Sequence, residues 1–501
     1  MKRDFDVIIV GGGPGGLSIG SLLAREGIAS AIIEKEPTLG GRYRSVSFEG
    51  CRVDDGVHFI GGMVASPADS HLYKLLSYLG IPPEAKVIPW ILGIVSKDNP
   101  KGISYFSMDQ KKGIDNFFDF FAFGSGVPME DSARQALRKA FRIMEDMSEE
   151  ECRSSVNVSF GSWVDRNVKD PVANTVLQLS SPLLGAAAKD ANYGAFANVL
   201  GTFPRIGGLL MWYPKRGQLE DAVIAPLTKY YTDRGGKVLT NRTAKEILIE
   251  KGEAKGVVVR NNGTRFLEEY SAPVVICATP IFEAVSQNIL RSEFLTEDWS
   301  KSIRQCAKLA YEDLTGFYLL REKVIPREVP GWLHFFDADY GIPTYLGDWS
   351  LASANNAVEP SGKQLLCSYI AGGLDATHFG LTSPMERVRE ANRRFKEGVE
   401  KAFPGFIQAI EAERLTLHLS WGRYAWAVVP TEIDIKSPNI KGLYFQGDSI
   451  RSVAGLASNK VYEMAFPLSE SILKYLRSHT KISLSGKGKG KRTKRGSKIN
   501  I

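Results

Sequence analysis

Residues 6–36, DVIIVGGGPGGLSIGSLLAREGIASAIIEKE, constrain this chain more than any other stretch. Val7 to Val10 form a short β-branched apolar run, the pattern of one buried parallel strand. Gly11-x-Gly13-x-x-Gly16 follows at once, then Leu17, Leu22, Leu23 and Ala24 at helical spacing, with Gly27 as the stop. Ala29 to Ile33 read as a second strand, and Glu34 stands at its end, 23 residues after Gly11. Strand, glycine turn, helix, strand and acid in this order predict a dinucleotide site. Gly11 permits the turn, Gly13 lets a pyrophosphate approach the backbone, and Gly16 lets helix and strand pack closely. Pro14 and Gly15 open the helix, whose unpaired N–H groups and partial positive charge favour phosphate. Glu34, with Lys35 beside it, suits the free hydroxyls of an adenosine ribose. The competing reading is a glycine-rich turn that holds no ligand.

The sequence continues PTLGGRYRSVSFEGCRVDDGVHFIGG, and it closes with NIKGLYFQGDSIRSVAGLASNKVYEMA at 439–465. Glu34, then Gly40-Gly41-Arg42, then Asp54-x-Gly56, with the closing block, resemble the flavin-dependent amine oxidase and phytoene desaturase superfamily. The resemblance implies FAD as the cofactor. It also implies an α/β fold, with a Rossmann-type, glutathione-reductase-like FAD-binding domain and an inserted α+β substrate domain. By that resemblance Gly41 and Arg42 lie against the pyrophosphate, and Gly56 lies where the chain passes the flavin. Ala244 offers its backbone to adenine, and Asp448 meets the ribityl and phosphate region. Gly455 and Leu456 begin a helix aimed at the flavin pyrimidine edge. An arginine suits a pyrophosphate because its planar fork reaches two oxygens at once. One departure stands out: Tyr213-Pro214-Lys215-Arg216-Gly217-Gln218 occurs where many relatives have Tyr-Pro-x-Gly-Gly.

The expected organisation is a discontinuous FAD-binding domain (1–65, 210–285 and 426–480) and a substrate domain (66–209 and 286–425). The first insertion reads as largely helical and the second as strands followed by a helix. FFDFFAF at 117–123 and Trp421, Tyr424 and Trp426 are aromatic clusters that either line an apolar cavity or fill the core. His58 either tunes the flavin and relays a proton or is a structural histidine; with Tyr424 and Trp426 it is a catalytic candidate. The other histidines show no metal-ligand spacing, and five scattered cysteines without a C-x-x-C predict neither a metal framework nor disulfides. Lys308 falls loosely near a flavin-facing lysine of some amine oxidases.

The net charge of +7 is unevenly placed. Residues 481–501 hold eight Lys or Arg and no acid; removing them leaves −1 for the rest of the chain. This basic tail is expected to be disordered, either solvated or drawn to anionic lipid, with nucleic acid the least favoured partner. Without an apolar run of about 20 residues or a leader, the expected location is cytoplasmic, or peripheral at the inner face of a membrane.

The family resemblance, with the aromatic clusters pointing to an apolar ligand, implies an FAD-dependent oxidoreductase that dehydrogenates or desaturates an apolar, isoprenoid or lipid-like molecule by hydride transfer to flavin N5. Oxygen, a quinone or a protein carrier would take the electrons, since only one glycine fingerprint opens a strand–turn–helix unit. A flavin amine oxidase, a redox-neutral isomerase and a non-catalytic prenyl or lipid binder remain open at this point.

Overall fold

The structure is a computed structural model. It describes residues 4–56, 70–89, 91–95, 103–107, 113–126, 128–181, 187–206, 210–215, 217–307, 312–325, 332–337, 342–348, 362–374, 380–419, 433–450 and 457–479.

The fingerprint folds as strand β1 (Val7–Val10), helix α1 (Pro14–Arg25) and strand β2 (Ser30–Ile33). β1 is buried along its whole length, which is why every residue in it is apolar. It sits at the centre of a five-stranded parallel sheet, in the order Leu443–Phe445, Val274–Cys277, β1, β2, Lys237–Leu239. The sheet therefore draws on three widely separated stretches of chain. The C-terminal helix Ala457–His479 and the helix Ala225–Asp233 pack on α1. A three-stranded antiparallel sheet (Arg242–Glu250, Glu253–Asn261, Leu267–Ser271) lies beside it, with Val257 and Val259 fully buried.

A second, seven-stranded mixed sheet runs in the order Ile410–Leu419, Glu312–Leu320, Gln364–Leu374, Ile342–Asp348, Trp332–Asp337, Ile91–Val95, Ile103–Ser107. Helix Pro384–Ala402 covers it, burying Phe395 and Val399 against Tyr318 and Leu366. Two of its strands come from the stretch read as largely helical, because Ile91–Val95 pairs in parallel with Trp332–Asp337, far away in sequence. Among its described residues that stretch also holds strand Ala85–Pro89 and helices at Gly113–Ser125, Asp131–Asp146, Phe160–Asn167, Pro171–Ser180 and Tyr193–Ile206. Strand Leu210–Pro214 pairs with Ala85–Pro89, so residue 210 is hydrogen-bonded to the first insertion.

Phe117, Phe118, Phe120 and Phe121 are at most 1% exposed and stack edge-on with one another and with Phe141. They are core rather than cavity wall. The hairpin Ser45–Phe48/Cys51–Asp54 connects the two sheets: Phe48, Cys51 and Val53 bury themselves against Phe317, Leu319, Leu365 and Cys367.

Candidate cofactor site

The turn after β1 closes as its glycines require. Gly11 has φ +110°, and a Cβ there would lie 3.0 Å from the Ala278 carbonyl. At Gly16 a Cβ would lie only 2.0 Å from the Gly11 oxygen, so the first turn of α1 can pass β1 only with glycine. Gly13 is different: a Cβ there would meet only the Gly41 Cα, at 3.9 Å. The floor of the turn is thus open to a ligand. Gly13 is the N-cap of α1 and Pro14 is its first residue; no side chain caps this end. The free N–H groups there form an anion site.

Glu34 is nearly buried, and its carboxylate is already fixed by backbone. Oε2 accepts from Gly12 N–H at 2.8 Å and Oε1 from Glu36 N–H at 2.9 Å. Each oxygen retains acceptor capacity for a ribose hydroxyl. Arg242 N–H donates to the Glu34 carbonyl at 2.9 Å, which brings Ala244 within two residues of this acid. Lys35 lies here too, but its ammonium pairs with Glu283 at 2.8 Å.

The Gly40–Arg44 strap crosses the mouth of the turn. Gly40 N–H donates to the Gly12 carbonyl at 2.9 Å, and Gly41, at φ +54°, would carry a Cβ 3.2 Å from Gly13 Cα. Arg42 Nη1 meets Asp448 Oδ2 at 2.8 Å, joining residues 406 apart in the chain. The Asp448 carboxylate is almost fully buried while Arg42 stays 39% exposed, leaving guanidinium nitrogens for a second anion. Gly56 passes beneath the strap: a Cβ there would lie 2.4 Å from the Arg42 carbonyl oxygen.

Three participants were not assigned from sequence. Gln446 lies against the start of α1, where a Cβ at Gly15 would approach its Cγ to 3.1 Å, and it donates to the Val461 carbonyl at 2.7 Å. The buried Ser449 hydroxyl, next to Asp448, has no hydrogen-bond partner among the described residues. Asp54 accepts from Ser45 and from Leu219 N–H. The first two follow a short strand whose neighbours come from far along the chain, so only folding reveals them.

The open glycine floor, the uncapped helix end, the spare nitrogens of Arg42 and the unpartnered Ser449 hydroxyl fit a dinucleotide pyrophosphate. Burial pushes the Cys277 thiol up to about 12, which makes it an inert core residue. His58, Arg216, Lys308, Trp421, Tyr424, Trp426, Gly455, Leu456 and the tail 481–501 lie outside the described residues. Among the described residues no cluster of metal-ligating side chains occurs, and no helix is long and apolar enough to cross a membrane.

Fold and site together define a dinucleotide-binding protein of the Rossmann type. The profile of the flavin containing amine oxidoreductases matches residues 14–456, and the chain belongs to that family. It is 25% identical over 373 residues to the all-trans-retinol 13,14-reductase of Rattus norvegicus, covering 68% of this chain and 58% of the rat protein. The chain thus matches somewhat over half the length of that relative. A segment of 60 residues is 43% identical to a 4,4'-diapophytoene desaturase of Methylomonas sp, covering 12% of each chain. Among solved structures, an oxidoreductase from Methanosarcina mazei superposes with a TM-score of 0.66 at 17% identity, covering 93% of this chain and 99% of its own. Cyclohexylamine oxidase from Brevibacterium oxydans does so with 0.64 at 15%, covering 95% and 100%. At these identities the two structures show a shared fold.

Proposed function

We propose that this flavoenzyme removes a hydride from a C–H bond of an apolar, isoprenoid-like chain, introducing a double bond. The observation that carries the choice of substrate class is the 373-residue match to a retinol reductase, against 80 residues for a trout amine oxidase, and the direction proposed is that of the diapophytoene desaturase matched over 60 residues. The retinol reductase and the diapophytoene desaturase are both named for changing the saturation of a polyene, in opposite directions.

The chain's residues bind and orient the cofactor. The α1 N-terminus and the Gly11, Gly13, Pro14, Gly15 and Gly16 turn would receive the pyrophosphate, with Gly41 and Arg42 closing over it. Glu34, with the Lys35 and Ala244 backbones beside it, would hold the adenosine end, and Asp448 the ribityl region. Gly56 keeps the strap low enough to do so. FAD bound there supplies the two-electron acceptor for the hydride. The substrate's second hydrogen leaves as a proton, for which His58 stands as the candidate acceptor, with Tyr424 and Trp426 as the candidates to contact the substrate. The eight basic residues between 481 and 501 would draw the protein to anionic lipid, from which such a substrate partitions.

The test is product analysis in air. An acyclic isoprenoid precursor dispersed in detergent should gain conjugated double bonds and absorb at longer wavelength. Primary amines should yield no peroxide. Peroxide from amines with an unchanged isoprenoid would establish an amine oxidase instead.

A further inference from the structure

On its other side from Gly12, Gly13 and Asp448, the Gly40–Arg44 strap is supported by residues 54–56. Gly56 lies against the Arg42 carbonyl, Asp55 N–H donates to the Arg44 carbonyl at 3.2 Å, and Arg44 Nη2 pairs with Asp55 at 3.1 Å. Ser45, the residue after the strap, faces Asp54 in the antiparallel hairpin. Asp54 itself is 2% exposed. Its Oδ1 accepts from Ser45 Oγ at 3.1 Å and from Leu219 N–H at 3.2 Å. Leu219 lies 165 residues along the chain and precedes the helical stretch through Asp233 that packs on α1. One carboxyl thus ties the strap to a remote part of the cofactor fold.

Among the described residues no cation is bonded to Asp54. Arg52, on the same hairpin, is bonded to Glu220 at 2.9 Å and to Asp221 at 2.7 Å. Arg44 is bonded to Asp55. Three other carboxylates therefore engage the two guanidiniums. Burial pushes the Asp54 carboxyl up to about 8, with Asp221 adding to the rise; the Leu219 and Ser45 hydrogen bonds and the more distant Arg52 charge oppose it.

We propose that Asp54 is a positioning residue for the cofactor: its buried carboxyl, accepting from Ser45 and Leu219, clasps the Gly41–Arg42 strap to the Leu219 helix start and so holds FAD. Between the ordinary carboxyl value of 3.8 and about 8, the clasped form keeps a proton that a solvated Asp54 has released. Raising the pH through that window therefore weakens the clasped form, by up to about tenfold per pH unit. The inference concerns only cofactor retention, and it stands apart from the identity of the substrate.

The test is titration of the FAD-depleted full chain with FAD, followed by quenching of flavin fluorescence, at pH 6, 7 and 8. Wild type should bind at least about threefold more weakly at pH 8 than at pH 6. Asp54→Asn, which keeps an acceptor but cannot ionise, should bind with no slope across the same range. Equal slopes in wild type and Asp54→Asn would overturn the proposal. Should Asp54→Asn fail to fold, wild type decides: a flat profile overturns the clasp. An infrared carboxylic-acid band from the holoprotein at pH 7, shifting when the pH passes 8, supports it. Failure to bind FAD at any pH would contradict the cofactor site itself.

Discussion

At the scale of single residues, glycines and one ion pair govern the site. Gly16 has no room for a methyl group, because the Gly11 oxygen occupies the position that its Cβ would need. Gly16→Ala should cost about 3 kcal/mol or more of stability, the upper end for overpacking, and the purified protein should lack flavin colour. Urea unfolding and the visible spectrum check both. Gly27, by contrast, has φ +76° and no neighbour within 4 Å, so its role there is conformational alone. Arg42→Lys keeps the charge that Asp448 pairs with but loses the planar fork. FAD affinity should fall about tenfold, measured by fluorescence titration, with little change in unfolding midpoint. The dinucleotide turn was legible in sequence because its determinants lie within 31 consecutive residues. Arg42 with Asp448 and Asp54 with Leu219 were not, because pairings 406 and 165 residues apart have no local signature.

At the scale of elements, the hairpin at 45–54 and the phenylalanine helix carry the argument. The hairpin faces two ways: Phe48, Cys51 and Val53 bury into the seven-stranded sheet, while Asp54 and Arg52 bond to the start of the Leu219–Asp233 helical stretch. Helix Gly113–Ser125 carries Asp115 and Asp119, paired with Arg138 and Arg134, while its four buried phenylalanines pack into the helical lobe. Phe118→Ala should therefore destabilise the protein by about 3–5 kcal/mol. FAD bound to the molecules that remain folded should keep its spectrum, since this helix does not line the glycine turn. Denaturant unfolding with flavin absorbance as a second probe separates the two effects. The apolar pattern at 117–123 allowed either core or cavity, and only the packing of Phe141 and its neighbours decided it. The strands at Ile91–Val95 and Ile103–Ser107 were missed for a related reason. A short apolar run takes its conformation from the edge it pairs with, here Trp332–Asp337.

At the scale of the whole molecule, the parallel sheet holds the cofactor turn while the seven-stranded sheet and helical lobe extend from it through the hairpin. The basic charge belongs to the chain's last 21 residues. If these serve lipid contact, the full chain should sediment with vesicles containing phosphatidylglycerol and not with phosphatidylcholine alone. Removing residues 481–501 should abolish that difference, and added salt should weaken it. In the proposed function the bound flavin takes a hydride from an apolar isoprenoid. The most direct measurement is anaerobic mixing of the holoprotein with an acyclic isoprenoid precursor, following the visible flavin absorption. Bleaching by that precursor, with none by benzylamine or putrescine, is the predicted result. Bleaching by an amine, with the isoprenoid inert, would contradict it.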